Sequence, residues 1–268
     1  MDPPFRRVAI VGVGLIGASI AEAARRRWPS VAVTGIETDD DLANVAAADL
    51  VILAAPVLTN IRLLLQLPQH LAKDALVTDT GSTKRRSVAA AAELPSVSFI
   101  GGHPMAGSAR SGAAHARADL FDGRQWILTP DSRADAGMLT RLETFVVGLG
   151  ATPHVMTADL HDRFVASVSH LPQLTSSALM HVVGSLAGDA GLEIAGAGLV
   201  DTTRLAASPP TIWKDVAATN EDALRDALNA LIATLTELRD SLATGEAIEA
   251  VFTSACRWRD ALERANGR

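Results

Sequence analysis

The sequence contains no tyrosine and a single cysteine, Cys256. The first absence excludes any mechanism that relies on a tyrosine acid or base. The second rules out an internal disulfide and a thiolate metal cluster, and makes a reducing, cytoplasmic setting the default expectation. Long uninterrupted apolar runs are also scarce. The N-terminal stretch 8–24 is apolar, but Gly12, Gly14 and Gly17 break it, so it reads as strand, turn and helix rather than as a leader. No other stretch approaches a membrane span free of charges. A basic surplus is missing too: 24 Lys and Arg stand against 30 Asp and Glu, a net charge of −6, which gives no sign of a nucleic-acid partner. The run Arg25, Arg26, Arg27 falls at a helix end, where cations complement the helix dipole. His161 and His170 are nine residues apart and cannot form an i,i+4 ligand pair, so no metal site is expected.

What remains is a 268-residue chain, 48% apolar, long enough for one large domain or two moderate ones. Its first 150 residues alternate short apolar runs with helical patterns, as a doubly wound parallel sheet does. Strands are expected at 7–11, 31–36, 50–54, 76–79, 98–100 and 125–129, and helices at 15–27, 60–66, 84–92 and 136–149. Only about a dozen residues, 38–49, separate the second strand from the third, where a full nucleotide-binding half would need a helix and another strand. That outer strand is therefore expected to be missing, with one short helix over 40–47 and an open adenosine side. From 157 onward the pattern is helical only. Leucines 224, 228, 231, 235, 238 and 242 fall at steps of three and four. The expected organisation is an α/β, Rossmann-type domain over 1–156 and an all-helical domain over 157–268 that could form a dimer.

Two segments carry the chemistry. In Gly12-Val13-Gly14-Leu15-Ile16-Gly17 a glycine turn follows a strand and opens a helix, the context that a dinucleotide fingerprint requires. Gly12 permits the tight turn, Gly14 lets amides approach a pyrophosphate, and Gly17 allows the helix to pack closely. Glu37 closes the second strand about 20 residues later, where a carboxylate accepts both ribose hydroxyls and repels a 2′-phosphate; this favours NAD over NADP. Ala55 and Pro56 follow the third strand and are small enough for the cofactor to approach.

The second segment is GGHPMAGS, from Gly101 to Ser108. His103 sits after a strand, between two glycines and a proline; it could serve as a general base with an ordinary pKa near 6.5, or be a loop histidine bonded to backbone. In DTGSTK, residues 79–84, Ser82 and Thr83 could cap a helix or supply an active-site hydroxyl. Arg204 could grip a carboxylate with two charge-assisted bonds, or pair with Asp201 or Asp215. Trp213 fits a core position better than a stacking one.

GVGLIGAS, DTGSTK, GGHPMAGS, HDRFVASVSHLP and DTTRLAASPPTIWKDVAATN, taken in this order and spacing, resemble the prephenate/arogenate dehydrogenases of tyrosine biosynthesis, over roughly residues 7–242. The resemblance implies a nucleotide-binding domain joined to a helical dimerisation domain, no metal, and oxidative decarboxylation of a cyclohexadienol. It implies that His103 takes the ring hydroxyl proton and that Ser82 hydrogen-bonds the same region. It further implies that His170 positions the substrate and that Arg204 binds one of its carboxylates. Gln173 departs from the pattern, standing where many relatives carry a second histidine. The chain ends near where the catalytic unit should end, with no room for a fused mutase or regulatory domain. Two alternatives stand beside this reading: a related dehydrogenase acting on a β-hydroxyacid or an amino-substituted analogue, and a non-catalytic NAD-binding protein.

Overall fold

The structure, a computed structural model, describes residues 2–107, 112–265 and 267; Ser108, the last residue of the GGHPMAGS segment, lies outside them. The chain divides into two compact units, residues 1–221 and 222–268.

The first unit is built on a seven-stranded sheet in the order β2-β1-β3-β4-β5-β6-β7. The strands are β1 (Arg7–Val11), β2 (Ala32–Ile36), β3 (Leu50–Leu53), β4 (Leu76–Asp79), β5 (Ser98–Pro104), β6 (Gln125–Pro130) and β7 (Thr152–Val155). Every pairing is parallel except that of β5 with β6. β3 and β4 are buried at every residue; β3 accordingly reads as an unbroken apolar run, whereas β4 ends in the buried polar pair Thr78 and Asp79. The two-residue period of β1 sorts its side chains onto opposite faces. Val8 and Ile10 join one core with Ile20 and Ala24 of α1 (Leu15–Arg27) and Phe145 of α4 (Ala136–Gly148). Ala9 and Val11 join another with Leu63 and Leu64 of α2 (Val57–Gln66) and Ala91 of α3 (Arg85–Ala92). Trp28 stacks on Phe145 at 5.5 Å between ring centroids. The arginine run closes α1, and Arg25 donates to the Val33 carbonyl at 2.9 Å, a structural role.

β2 is the edge strand, and a single 3-10 turn, Leu42–Val45, replaces the helix and strand that a complete half would carry. Three features differ from the sequence-based expectation. β7 was not expected; it is a four-residue edge strand containing Pro153, a position where a proline's missing N–H does no harm. α2 starts three residues earlier than expected, directly after Pro56. β5 continues to Pro104, so His103 is a strand residue and not a loop residue.

The reason for the longer β5 lies on both its sides. Antiparallel β6 pairs with it through Pro104, whereas β4 pairs only as far as Ile100. Beyond that point two side chains of the DTGSTK segment continue the ladder: Asp79 Oδ1 accepts from the Gly102 amide at 3.0 Å, and Lys84 Nζ donates to the Gly102 carbonyl at 2.7 Å.

After β7 the chain is helical: α5 (Ala158–Val165), a π-helical turn over Ala166–His170, α6 (Leu171–Leu192), α7 (Ala197–Thr202), a 3-10 turn over Arg204–Ala207, and α8 (Pro210–Thr219). Thr157 caps α5 by accepting from the Leu160 amide at 3.3 Å. Pro172 enters the first turn of α6, where its missing amide loosens the preceding bonds into π geometry and the Leu171 amide reaches back to Ala166.

The second unit holds the remainder of α9 (Glu221–Asp240) and α10 (Glu246–Ala265). α10 has no buried residue, and Ile232, Leu235, Phe252, Trp258 and Leu262 are exposed. Among the described residues no helix is long and apolar enough to cross a membrane.

Candidate active site

In this sheet β2 and β3 lie on opposite sides of β1, so the connections leave β1 in opposite directions and open a crevice at its carboxyl end, where open α/β sheets place ligands. A cleft of about 410 Å³ lies there, within the range of small-molecule sites. Gly14, Leu15 and Ile16 line it after β1, Ala55 and Pro56 after β3, and Ser82 after β4; His103 closes it from β5.

The glycine turn has the shape a dinucleotide needs. Gly12 holds φ +100°, and a Cβ there would lie 2.8 Å from the Ala54 carbonyl oxygen. A Cβ on Gly17 would sit 2.0 Å from the Gly12 carbonyl oxygen, so α1 approaches the turn as closely as a backbone can. Gly14, by contrast, faces open space, and as N-cap it leaves the first amides of α1 without a side-chain partner. Uncapped amides at a helix N-terminus suit a pyrophosphate. Glu37 follows β2 and is exposed, and its own amide donates to Asp40 at 2.9 Å. These residues fit NAD, and Asp39, Asp40 and Asp41 add no cation for a 2′-phosphate.

His103 is 8% exposed and stands at the front of a buried polar chain. Its Nδ1 lies 2.8 Å from His161 Nε2, and His161 Nδ1 lies 2.7 Å from Asp162 Oδ1. Asp162 also accepts from the Lys84 amide at 2.7 Å and the Arg85 amide at 2.9 Å. Burial, then the neighbouring His161, Lys84 and His170, hold the His103 pKa well below the usual histidine range, so its imidazole is neutral at physiological pH. Burial also lowers His161, against the pull of Asp162. For Asp162 burial alone would raise the pKa, but hydrogen bonds from His161, Arg85 and Lys84 outweigh it and keep the carboxylate ionised. Lys84 is fully buried and bonds both carboxylate oxygens of Asp79 at 2.5 Å; burial lowers its pKa while Asp79 opposes the shift.

Comparison with known proteins settles the family. The family model described as "Prephenate dehydrogenase, nucleotide-binding domain" matches residues 8–155, and "Prephenate dehydrogenase, dimerization domain" matches 157–253. The chain belongs to the prephenate dehydrogenase family. As a member of that family it is an oxidoreductase with an α/β nucleotide-binding domain and a helical dimerisation domain. It is 31% identical to the prephenate dehydrogenase of Bacillus subtilis over 95% of this chain and 76% of that one. It is similar to the structure of prephenate dehydrogenase from A. aeolicus in complex with hydroxyphenyl propionate and NAD+: TM-score 0.86, 28% identity, 96% of this chain and 98% of the other. The Synechocystis arogenate dehydrogenase structure matches with TM-score 0.82 and 29% identity, over 96% and 99% of the two chains.

Within this family member the expected site residues fall into two groups. Ser82 and His103 share the cleft with the glycine turn. His170 and Arg204 do not line it. His170 is 1% exposed, both its ring nitrogens lack a partner among the described residues, and Trp213 of α8 meets its ring edge-to-face at 5.9 Å. Burial lowers its pKa to about 4. Arg204 is exposed and makes no hydrogen bond or ion pair among the described residues; Asp215, a suggested partner, instead accepts from the Leu58 amide at 3.3 Å. Gln173 organises the turn that carries Arg204, donating to the Leu205 carbonyl at 2.7 Å and accepting from Ser208 Oγ at 3.1 Å. Ser82 and Thr83 do not cap α3, which has no side-chain cap; Thr83 bonds Thr219 at 2.7 Å. The residues that sequence reasoning missed are Asp79, Lys84, His161 and Asp162. All four stand inside motifs already singled out, DTGSTK and HDRF, but only the fold shows them buried and paired.

Proposed function

We propose that this enzyme catalyses the NAD-dependent oxidative decarboxylation of prephenate, arogenate or both, with His103 as the general base for the ring hydroxyl. The observation that carries the reading is a buried, neutral imidazole in the same cleft as an open glycine turn. NAD+, when bound, supplies the nicotinamide that accepts hydride from the ring carbon bearing the hydroxyl. Gly12, Gly14, Leu15, Ile16 and Gly17 would hold its pyrophosphate, Glu37 its adenosine ribose, and Ala55 and Pro56 its nicotinamide side.

His103 takes the hydroxyl proton, which raises electron density on the carbon that gives up hydride. The bond to the ring carboxylate then breaks; CO2 leaves, its electron pair completes the aromatic ring, and the oxygen recovers the proton from His103. Ser82 hydrogen-bonds the same oxygen. His170, with two unmet nitrogens, supports a role in positioning substrate. Arg204, with an uncommitted guanidinium, supports a role in holding a carboxylate. Residues 1–156 form the nucleotide-binding part and 157–268 the substrate and dimerisation part. The exposed apolar side chains of α9 and α10 support a homodimer.

The test is turnover of the purified chain with NAD+ or NADP+ and prephenate, arogenate or buffer, followed by nicotinamide absorbance. Turnover of at least one cyclohexadienol with NAD+ preferred is expected. Inertness toward both substrates would contradict the reading, and a preference for NADP+ would overturn the role given to Glu37.

A further inference from the structure

We propose that His161 and Asp162 form a positioning dyad that fixes the tautomer of His103, keeping the proton on Nδ1 and presenting Nε2 to the cleft as the basic nitrogen. The inference rests on the reading of His103 as base, and names what makes it one.

Hydrogen-bond chemistry leaves one arrangement. An ionised carboxylate only accepts, so at 2.7 Å from Asp162 the His161 Nδ1 must carry hydrogen. A neutral His161 then offers a lone pair at Nε2. At 2.8 Å from that lone pair His103 Nδ1 must donate, which leaves the lone pair of His103 on Nε2. The opposite tautomer would set two lone pairs against each other in a buried place. Either ring alone could take both forms; the carboxylate at the end of the chain decides.

The dyad is held rigidly. Asp162 Oδ1 accepts from the Lys84 amide and Oδ2 from the Arg85 amide at the start of α3, and Arg85 Nε also approaches Oδ2 at 3.3 Å. Asn220, just after α8, donates to the Asp162 carbonyl at 2.8 Å and accepts from Arg85 Nη2 at 2.7 Å. Three elements, α3, α5 and the end of α8, therefore fix the carboxylate in place. His161 is 0% exposed, so its ring has no solvent to turn toward.

The dyad also has a task during the reaction. When His103 Nε2 takes the hydroxyl proton, its Nδ1–H bond to His161 becomes charge-assisted, and Asp162 faces the resulting cation through one ring. No proton moves onto Asp162. The proton on Nε2 returns to the product oxygen once CO2 has left. The charged and titratable groups facing this pair are Lys84, Asp79, Asp162 and His170; burial, then His161 itself, Lys84 and His170, oppose protonation of His103. What the dyad gives the protonated form is a fixed acceptor for its Nδ1–H at 2.8 Å.

The test combines a spectroscopic and a kinetic measurement on the full chain. In ¹⁵N-histidine NMR of the parent protein, with the His103 signals assigned by their loss in His103→Ala, the proton is expected on Nδ1; a proton on Nε2 overturns the proposal. Kinetically, His161→Leu removes the acceptor, and kcat is expected to fall by about 10²-fold or more, bounded by the ~10²–10⁴-fold lost with the base itself, while KM changes little. His161→Gln, whose amide oxygen can still accept from Nδ1, is expected to recover part of that loss. Unchanged kcat in His161→Leu overturns the proposal. If that variant does not fold, the parent spectrum decides alone. Full activity of His103→Ala would defeat the base reading and leave the tautomer result standing, so the two failures are separable.

Discussion

Replacing Lys84 by Met probes the ion pair that holds the site together. The ammonium and the Asp79 carboxylate are 0% and 1% exposed, and no water-facing route is open to either. Without Lys84, Asp79 keeps the Gly102 amide at 3.0 Å, the Gly81 amide at 3.2 Å and a long contact from Ser87, but no counter-charge. Stranding one member of a buried pair costs about 3–5 kcal/mol. For a chain of this size each kcal/mol lowers the melting temperature by roughly 2–4 °C, so Lys84→Met should lose roughly 6–20 °C in a thermal unfolding scan near neutral pH. A double variant, Lys84→Met with Asp79→Asn, removes the stranded charge and should recover a large part of that loss. Activity should fall in both, because the Gly102 carbonyl beside His103 loses its donor. A single variant that melts within about 2 °C of the parent would refute the reasoning, as would a double variant no more stable than the single one.

The two glycines of the turn should behave oppositely. Gly17→Ala drives a Cβ into the Gly12 carbonyl and should yield a poorly folded chain, whereas Gly14→Ala meets no protein atom and should melt like the parent while binding NAD+ more weakly; equal effects on folding, seen by circular dichroism, would contradict this. Acid should destabilise the fold through His170, which is protonated near 6.5 in the unfolded chain but only near about 4 when folded. Stability present above pH 6.5 is therefore lost as pH falls toward 4, by up to about 3 kcal/mol, and His170→Phe should flatten the dependence of the urea midpoint on pH; parallel curves for parent and variant would count against it.

The parts legible in sequence were those governed by local periodicity and by backbone-imposed motifs. β1 and α1 were placed to the residue because Gly12 and Gly17 punctuate them, and the missing outer strand followed from the short interval between β2 and β3. β7 escaped because four residues with a proline carry no alternating pattern. The extension of β5 through His103 escaped for a different reason. It depends on β6 pairing from 25 residues downstream and on Asp79 and Lys84 replacing a strand with side chains, and neither is a local property. That His103 and Ser82 would come to the cleft could be read from their place at strand ends. The dyad behind His103 was not, since nothing in sequence tells that His161, 58 residues away, meets it across the fold. The leucine stripe of α9 was legible as a helix, but whether it faced core or solvent depended on how little of the second unit buries it.

The most direct test of His103 as the base is a comparison of the parent with His103→Ala in two quantities: kcat for prephenate or arogenate oxidation, and the dissociation constant for NAD+. With the base removed and the glycine turn untouched, kcat should fall by about 10²–10⁴-fold while NAD+ affinity stays within about threefold. Undiminished turnover in the variant, at parental NAD+ affinity, would contradict the assignment of His103.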